Sequence, residues 1–118
     1  MNNNNVNDTE KIKKWVEVSP LGRAIGSDAA LKLLLKYRLH LEGCVGSLFG
    51  HMDKGDLDGI RDVAHSLKGS GKSYGMDFIT QVGLSLSSRA KEKDIQGLRE
   101  LIEKLDNWVE HSFPGDLM

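Results

Sequence analysis

A single cysteine, two prolines and the absence of any long apolar run set the first limits on this chain. With Cys44 alone, neither a disulfide framework nor a cysteine-based zinc site can be built. Nothing near the start resembles a signal peptide. The stretch from Gly43 to Met52, free of Asp, Glu, Lys and Arg, is too short to cross a bilayer. Excess positive charge is missing as well: 16 Lys and Arg stand against 17 Asp and Glu, for a net charge of −1. That balance excludes general affinity for nucleic acid, which needs a strongly basic surface. No segment sustains the alternation of a β-strand, and no internal repeat is found. What remains is a soluble globular composition, 39% hydrophobic and 28% charged, in 118 residues. That length supports one domain with one core, and the expectation is a cytosolic, reduced protein.

The apolar residues present fall at helical spacing. The opening MNNNNVN, residues 1–7, is polar and reads as a flexible lead-in. Asp8 can cap a short helix carrying Ile12, Trp15 and Val16, and Pro20, Gly22 and Gly26 mark a connection after it. Ser27 or Asp28 then starts a long helix running to about Lys54. Its stripe is Leu31, Leu34, Leu41, Val45, Leu48 and Met52, widened by Leu35, Tyr37 and Phe49. Asp56 caps a helix with Leu57, Ile60, Ala64, Leu67 and Gly71 on one face. After Gly75 a further helix carries Ile79, Val82, Gly83, Leu86 and Ala90. Beyond KEKD, the last one carries Ile95, Leu98, Leu101, Ile102, Leu105, Trp108 and Val109. Residues 112–118, with Pro114 and Gly115, read as a tail. The fold class is therefore all-α: an antiparallel four-helix bundle over residues 8–111 with a short additional N-terminal helix.

On the helix from Leu57, a wheel at about 100° per residue centres the apolar stripe on Ile60, Leu67 and Gly71. His65 lies roughly 130° from that centre, facing outward with Arg61, Lys68, Gly69 and Lys72. A neutral imidazole offers a ring nitrogen as nucleophile. Lys68, three residues on, can reach the peripheral oxygens of a phosphoryl group. Gly69 removes the side chain that would keep another protein's active site from closing over His65. Gly71 faces inward, where close helix packing is the simpler account.

The segment AHSLKGSGKSYG, from Ala64 to Gly75, resembles the signature of the histidine-containing phosphotransfer (HPt) domain family. That family shows Leu-Lys-Gly two to four residues after the histidine and a glycine ten residues after it; His65, Leu67, Lys68, Gly69, Ser70, Gly71 and Gly75 match. The resemblance extends over most of the chain. It implies a phosphocarrier of a multistep phosphorelay, with no kinase site of its own. His65 would take a phosphoryl group from the aspartyl phosphate of a hybrid kinase's receiver domain and pass it to a response regulator. Lys68 would stabilise phosphoryl charge, with Arg61, Gly69, Lys72 and Gly75 serving partner docking. Ser70, Ser73 and Ser87 are candidates for polar neighbours. The partner receiver would bring Mg²⁺, and this chain would carry no cofactor or metal of its own. Where several relatives have a longer polar side chain about 22 residues beyond the histidine, this sequence has Ser87 and Ser88. A monomer is expected, because the active face must stay free.

Other readings fit less well. His40, His51 and His111 lack metal-ligand spacing, and Trp15 and Trp108 suit core anchors. The phosphoacceptor domain of a histidine kinase shows an acidic residue directly after its histidine, where this chain has Ser66. A non-catalytic helical adaptor that binds receivers is the alternative, and it leaves the joint presence of His65, Lys68 and Gly69 unexplained.

Overall fold

Six helices and no strand occur among the described residues, which in this computed structural model are 4–115 for the backbone and 10–115 for side chains. They are α1 (Asn4–Val18), α2 (Pro20–Ile25), α3 (Ser27–Lys54), α4 (Leu57–Tyr74), α5 (Asp77–Lys91) and α6 (Ile95–His111). α3 packs on α4 and α6, and α5 also packs on α4 and α6. The four long helices therefore form a square with α3 and α5 at opposite corners. Inside it Leu34, Leu41 and Leu48 of α3 meet Ile60, Leu67, Ile79, Leu86, Leu98, Ile102 and Leu105, all fully buried. Each such side chain contributes about 2 kcal/mol by leaving water. The stripes read from the sequence are thus the faces that close on the core.

Five details differ from the sequence reading. α1 begins at Asn4, so residues 4–7 are helical rather than a lead-in, and Asp8 lies inside the helix rather than at its cap. Once Ile12, Trp15 and Val16 anchor the helix, propagating it backward is cheap compared with nucleating it. Residues 1–3 lie outside the described residues. The connection at Pro20 is itself a short helix, capped by Ser19, whose buried hydroxyl accepts the Gly22 N–H at 3.0 Å. The third difference is at α3, which starts from Gly26 without a side-chain cap, so Ser27 and Asp28 sit in its first turn. Leu35 is 40% exposed, on the outer side of α3 rather than in its stripe. Finally, residues 112–115 do not trail away: Phe113 is buried against Trp108, ring centroids 5.8 Å apart. Residues 116–118 lie outside the described residues.

Two corners of the bundle are built alike. After α3, Gly55 adopts φ +66°, Asp56 N–H bonds to His51 O at 2.8 Å and Gly55 N–H to Met52 O at 3.1 Å. After α5, Lys93 adopts φ +59°, with Asp94 N–H on Arg89 O at 2.9 Å and Lys93 N–H on Ala90 O at 3.1 Å. Both are left-handed helix ends that satisfy the last carbonyls. In each, the next residue is an aspartate that caps the following helix: Asp56 Oδ1 accepts Gly59 N–H and Asp94 Oδ1 accepts Gly97 N–H. The second carboxylate oxygen turns back to the preceding helix, to His51 Nδ1 at 3.1 Å and to Arg89 at 2.8 Å. The Gly97 N–H, and after it the Arg89 guanidinium, hold the Asp94 carboxyl below its usual range. One corner uses glycine at the left-handed position and the other a lysine, whose Cβ is strained there. Lys93→Gly is therefore expected to stabilise the protein by about 1 kcal/mol. The check is a higher denaturation midpoint at unchanged denaturant dependence.

Candidate functional site

His65 stands on the outer side of α4, exposed, and among the described residues its imidazole has no hydrogen bond or ion pair. Its position follows from the wheel: Ile60, Ala64, Leu67 and Gly71 are buried, and His65 is a third of a turn beyond that stripe. Lys68, one turn along, is exposed, as are Arg61 and Lys72. Asp58 and Asp62 are exposed on the same outward side, so charges of both signs surround the accessible ring nitrogen, with Lys68 the cation one turn beyond it.

The glycines near His65 have opposite surroundings. A Cβ on Gly69 would meet nothing within 4 Å, so nothing in this fold requires that position to be bare. A Cβ on Gly83 of α5 would sit 2.7 Å from both the Ala64 carbonyl oxygen and the Lys68 nitrogen. Gly83 thus lets α5 lie directly against the backbone that carries His65 and Lys68. Gly71 is similar: a Cβ there would come within 2.6 Å of the Thr80 nitrogen, which bears out the packing account. Gly75 has a backbone reason of its own. At φ +70° it ends α4, and the Met76 N–H that follows bonds to Gly71 O at 2.8 Å.

The structure does not gather all the candidate serines around the imidazole. Ser70, five residues beyond His65 and so about 140° round the helix, points to α3, where its hydroxyl lies 2.8 Å from Tyr37 Oη. Tyr37 is buried and stacked on Tyr74 at 4.0 Å. Burial pushes its hydroxyl up to about 12, against the partly offsetting bond to Ser70. Ser73 is two turns away and donates to the Gly69 carbonyl oxygen at 3.1 Å. Ser87 is half-buried on the flank of α5 one turn beyond Gly83; among the described residues it makes no hydrogen bond to His65. Ser88, its neighbour, is exposed. A residue outside the sequence reading is Leu84, which follows Gly83 on α5 and is 43% exposed. A leucine off the buried stripe of its helix was the available signal.

The other histidines are held elsewhere. His51 pairs with Asp56, and His40 Nε2 lies 3.5 Å from Cys44 Sγ, whose thiol is pushed up by burial. A cleft of about 650 Å³ lies at the far end of α4, between Trp15, Tyr74, Phe78, Trp108 and Pro114. Trp15 is buried and Trp108 stacks on Phe78 at 4.8 Å, so both tryptophans anchor packing while edging that cleft. His65 is not among its lining residues.

The fold and this surface define a class of protein: a helical bundle with an exposed histidine on a convex helix face, a lysine one turn away and a bare position beside it. The family model described as Hpt domain matches residues 30–112, most of the chain and all of α4 to α6. The chain belongs to the Hpt domain family. Its members act in histidine phosphotransfer within phosphorelay signalling, as carriers rather than kinases, and interact with receiver domains and response regulators. No curated relative and no solved structure matches the chain significantly. No helix among the described residues is long and apolar enough to cross a membrane.

Proposed function

We propose that His65 is the phosphoacceptor of this domain, taking its phosphoryl group from the aspartyl phosphate of a hybrid kinase's receiver domain and passing it to a response regulator. The observation that carries the reading is the exposed, unpartnered imidazole on α4, one turn from Lys68 and from the open position at Gly69. In the forward step an imidazole nitrogen attacks phosphorus. A nitrogen–phosphorus bond forms, the bond between phosphorus and the aspartyl oxygen breaks, and the receiver's carboxylate leaves with the electron pair. The second step reverses these roles at the regulator's aspartate. Charge on the transferred group sits on its peripheral oxygens, so catalysis is positioning and neutralisation. Lys68 serves that task from the histidine side, and Mg²⁺ serves it from the receiver side. Arg61 and Lys72 steer an acidic receiver, and Leu84 gives the docked partner an apolar contact.

The test mixes the purified protein with phosphorylated receiver domains and Mg²⁺ and maps acid-labile phosphate by mass spectrometry. Phosphate on His65, lost in His65→Gln, is the expected result. Lys68→Ala is expected to keep the fold and slow transfer roughly tenfold or more. Receiver binding without phosphate on any residue would make this a non-catalytic adaptor instead.

A further inference from the structure

The second half of α4 is a poor helix by composition. From Gly69 to Gly75 it reads GSGKSYG, with Gly69 and Gly71 inside the helix, where glycine is unfavourable. Its serines bond back to their own helix, Ser70 to the Leu67 carbonyl oxygen at 3.4 Å and Ser73 to that of Gly69 at 3.1 Å. Such back-bonding does not strengthen a helix. Yet α4 runs on to Tyr74. The turn before it depends on this continuation. With each N–H bonded four residues back, Lys72 and Ser73 hold the carbonyls of Lys68 and Gly69.

Contacts with other helices hold it instead. On the α5 side, bare Gly71 lies against the Thr80 backbone. With no side chain to interlock, that contact sets a separation but not a rotation. From α3, Tyr37 reaches both ends of one turn. Its ring stacks on Tyr74 with centroids 4.0 Å apart and planes 10° from parallel, and its hydroxyl lies 2.8 Å from Ser70 Oγ. Because the Ser70 hydroxyl donates to Leu67, the Tyr37 O–H donates to Ser70. A chain of two bonds thus runs from α3 into the α4 backbone just before Lys68. Tyr37 is buried, and among the described residues its hydroxyl has no other bond. A phenylalanine would fill the same space, so what the hydroxyl adds is this one link to α4.

We propose that Tyr37 is a positioning residue for transfer at His65: by gripping Ser70 and Tyr74 it keeps the glycine-weakened half of α4 helical and so fixes Lys68 and Lys72 relative to the imidazole. This role rests on His65 being the phosphoacceptor. Tyr37 itself, buried in the bundle, touches neither the phosphoryl group nor a partner. Lys72 lies inside the gripped turn, within about 20° of His65 around the helix and roughly 10 Å along it. Without the grip, Lys68 and Gly69 would belong to the last turn of a helix, where carbonyls go unheld and the end frays.

Tyr37→Phe tests this in the full chain, because it keeps the ring, the stack and the packed volume and removes only the bond to Ser70. Two quantities are read. One is the rate of phosphate transfer at saturating concentration of a phosphorylated receiver that loads wild-type His65, with Mg²⁺. The other is the set of α-carbon chemical shifts from Gly69 to Tyr74, which report helix in the folded protein. Transfer is expected to slow about fivefold, the equivalent of one hydrogen bond, and those shifts to move toward coil values. Adding Ser73→Ala, a better helix former at an exposed position, is expected to win back about twofold. A Tyr37 that only supports the core would lower the denaturation midpoint and leave both the saturating rate and the shifts as they are. That result overturns the proposal, as does a slowed variant that Ser73→Ala fails to rescue. If wild-type His65 takes no phosphate from any receiver, the phosphoacceptor reading falls and this role with it. A wild type that loads, matched by Tyr37→Phe, overturns the positioning role alone.

Discussion

A Gly69→Leu protein is expected to be more stable than the wild type and yet to accept phosphate roughly a hundredfold more slowly. The two effects have separate causes. A glycine inside an exposed helix costs about 1 kcal/mol relative to a good helix former, and a side chain at position 69 would meet no neighbour within 4 Å. Replacing it therefore removes a cost without adding a clash. The same side chain would stand one turn from His65, on the face that the proposed transfer requires a receiver to cover. Phosphoryl transfer needs the attacking nitrogen and the aspartyl phosphate close and in line. Holding them even about 1 Å apart from that geometry costs on the order of a hundredfold. Thermal denaturation and a time course of phosphate transfer, run on the same preparation, check the pair. Transfer at the normal rate would remove the clearance argument, and loss of stability would show that Gly69 is needed by the fold itself.

Gly83→Ala is the opposite case, with the largest expected loss of stability. The added methyl group would lie 2.7 Å from the Ala64 carbonyl oxygen and 2.7 Å from the Lys68 nitrogen. Both atoms belong to the backbone of a regular helix, so neither can swing aside. α5 must move away from α4 along the line where the two pack most closely. Overpacking of this kind costs about 3 kcal/mol, or roughly 10 °C in midpoint for a domain of this size. Chemical denaturation followed by circular dichroism measures it. Because Gly83 presses on the turn that holds His65 and Lys68, the surviving folded protein is also expected to transfer phosphate more slowly. An unchanged midpoint would mean that the α4–α5 contact has room which the geometry denies. Two glycines within reach of one histidine thus make opposite predictions, for a physical reason that can be read from their surroundings.

Much of this was legible in the chain. Leu34, Leu41, Leu48, Ile60, Leu67, Ile79, Leu86 and Ile102 recur at helical spacing, and a helix that buries one stripe leaves little choice about which residues enter the core. The exposure of His65 followed from the same geometry, and the cap at Asp56 from an aspartate that precedes an apolar run; the matching cap at Asp94, inside the charged run KEKD, went unread. Other residues were not decided by spacing. Leu35 sits at the edge of its stripe, and whether it is covered depends on where α4 and α6 lie around α3. Ser70 and Ser73 are adjacent in the motif, yet one reaches Tyr37 and the other its own helix. Phe113 looked like part of a tail until Trp108 was there to receive it.

The sequence by itself determined the helices, their inward faces, and the outward presentation of a histidine beside Lys68 and Gly69, because these are properties of a single helix turned at a fixed angle per residue. Only the tertiary structure decided that Gly83 bears on the backbone behind that histidine. Packing likewise turned Ser70 toward Tyr37 of α3 and left Leu84 exposed beside Gly83. Those outcomes depend on which helix becomes whose neighbour, and at what separation. Distances of 2.6–2.7 Å between would-be side chains and opposing backbones are set by two elements meeting, so no pattern within either one contains them.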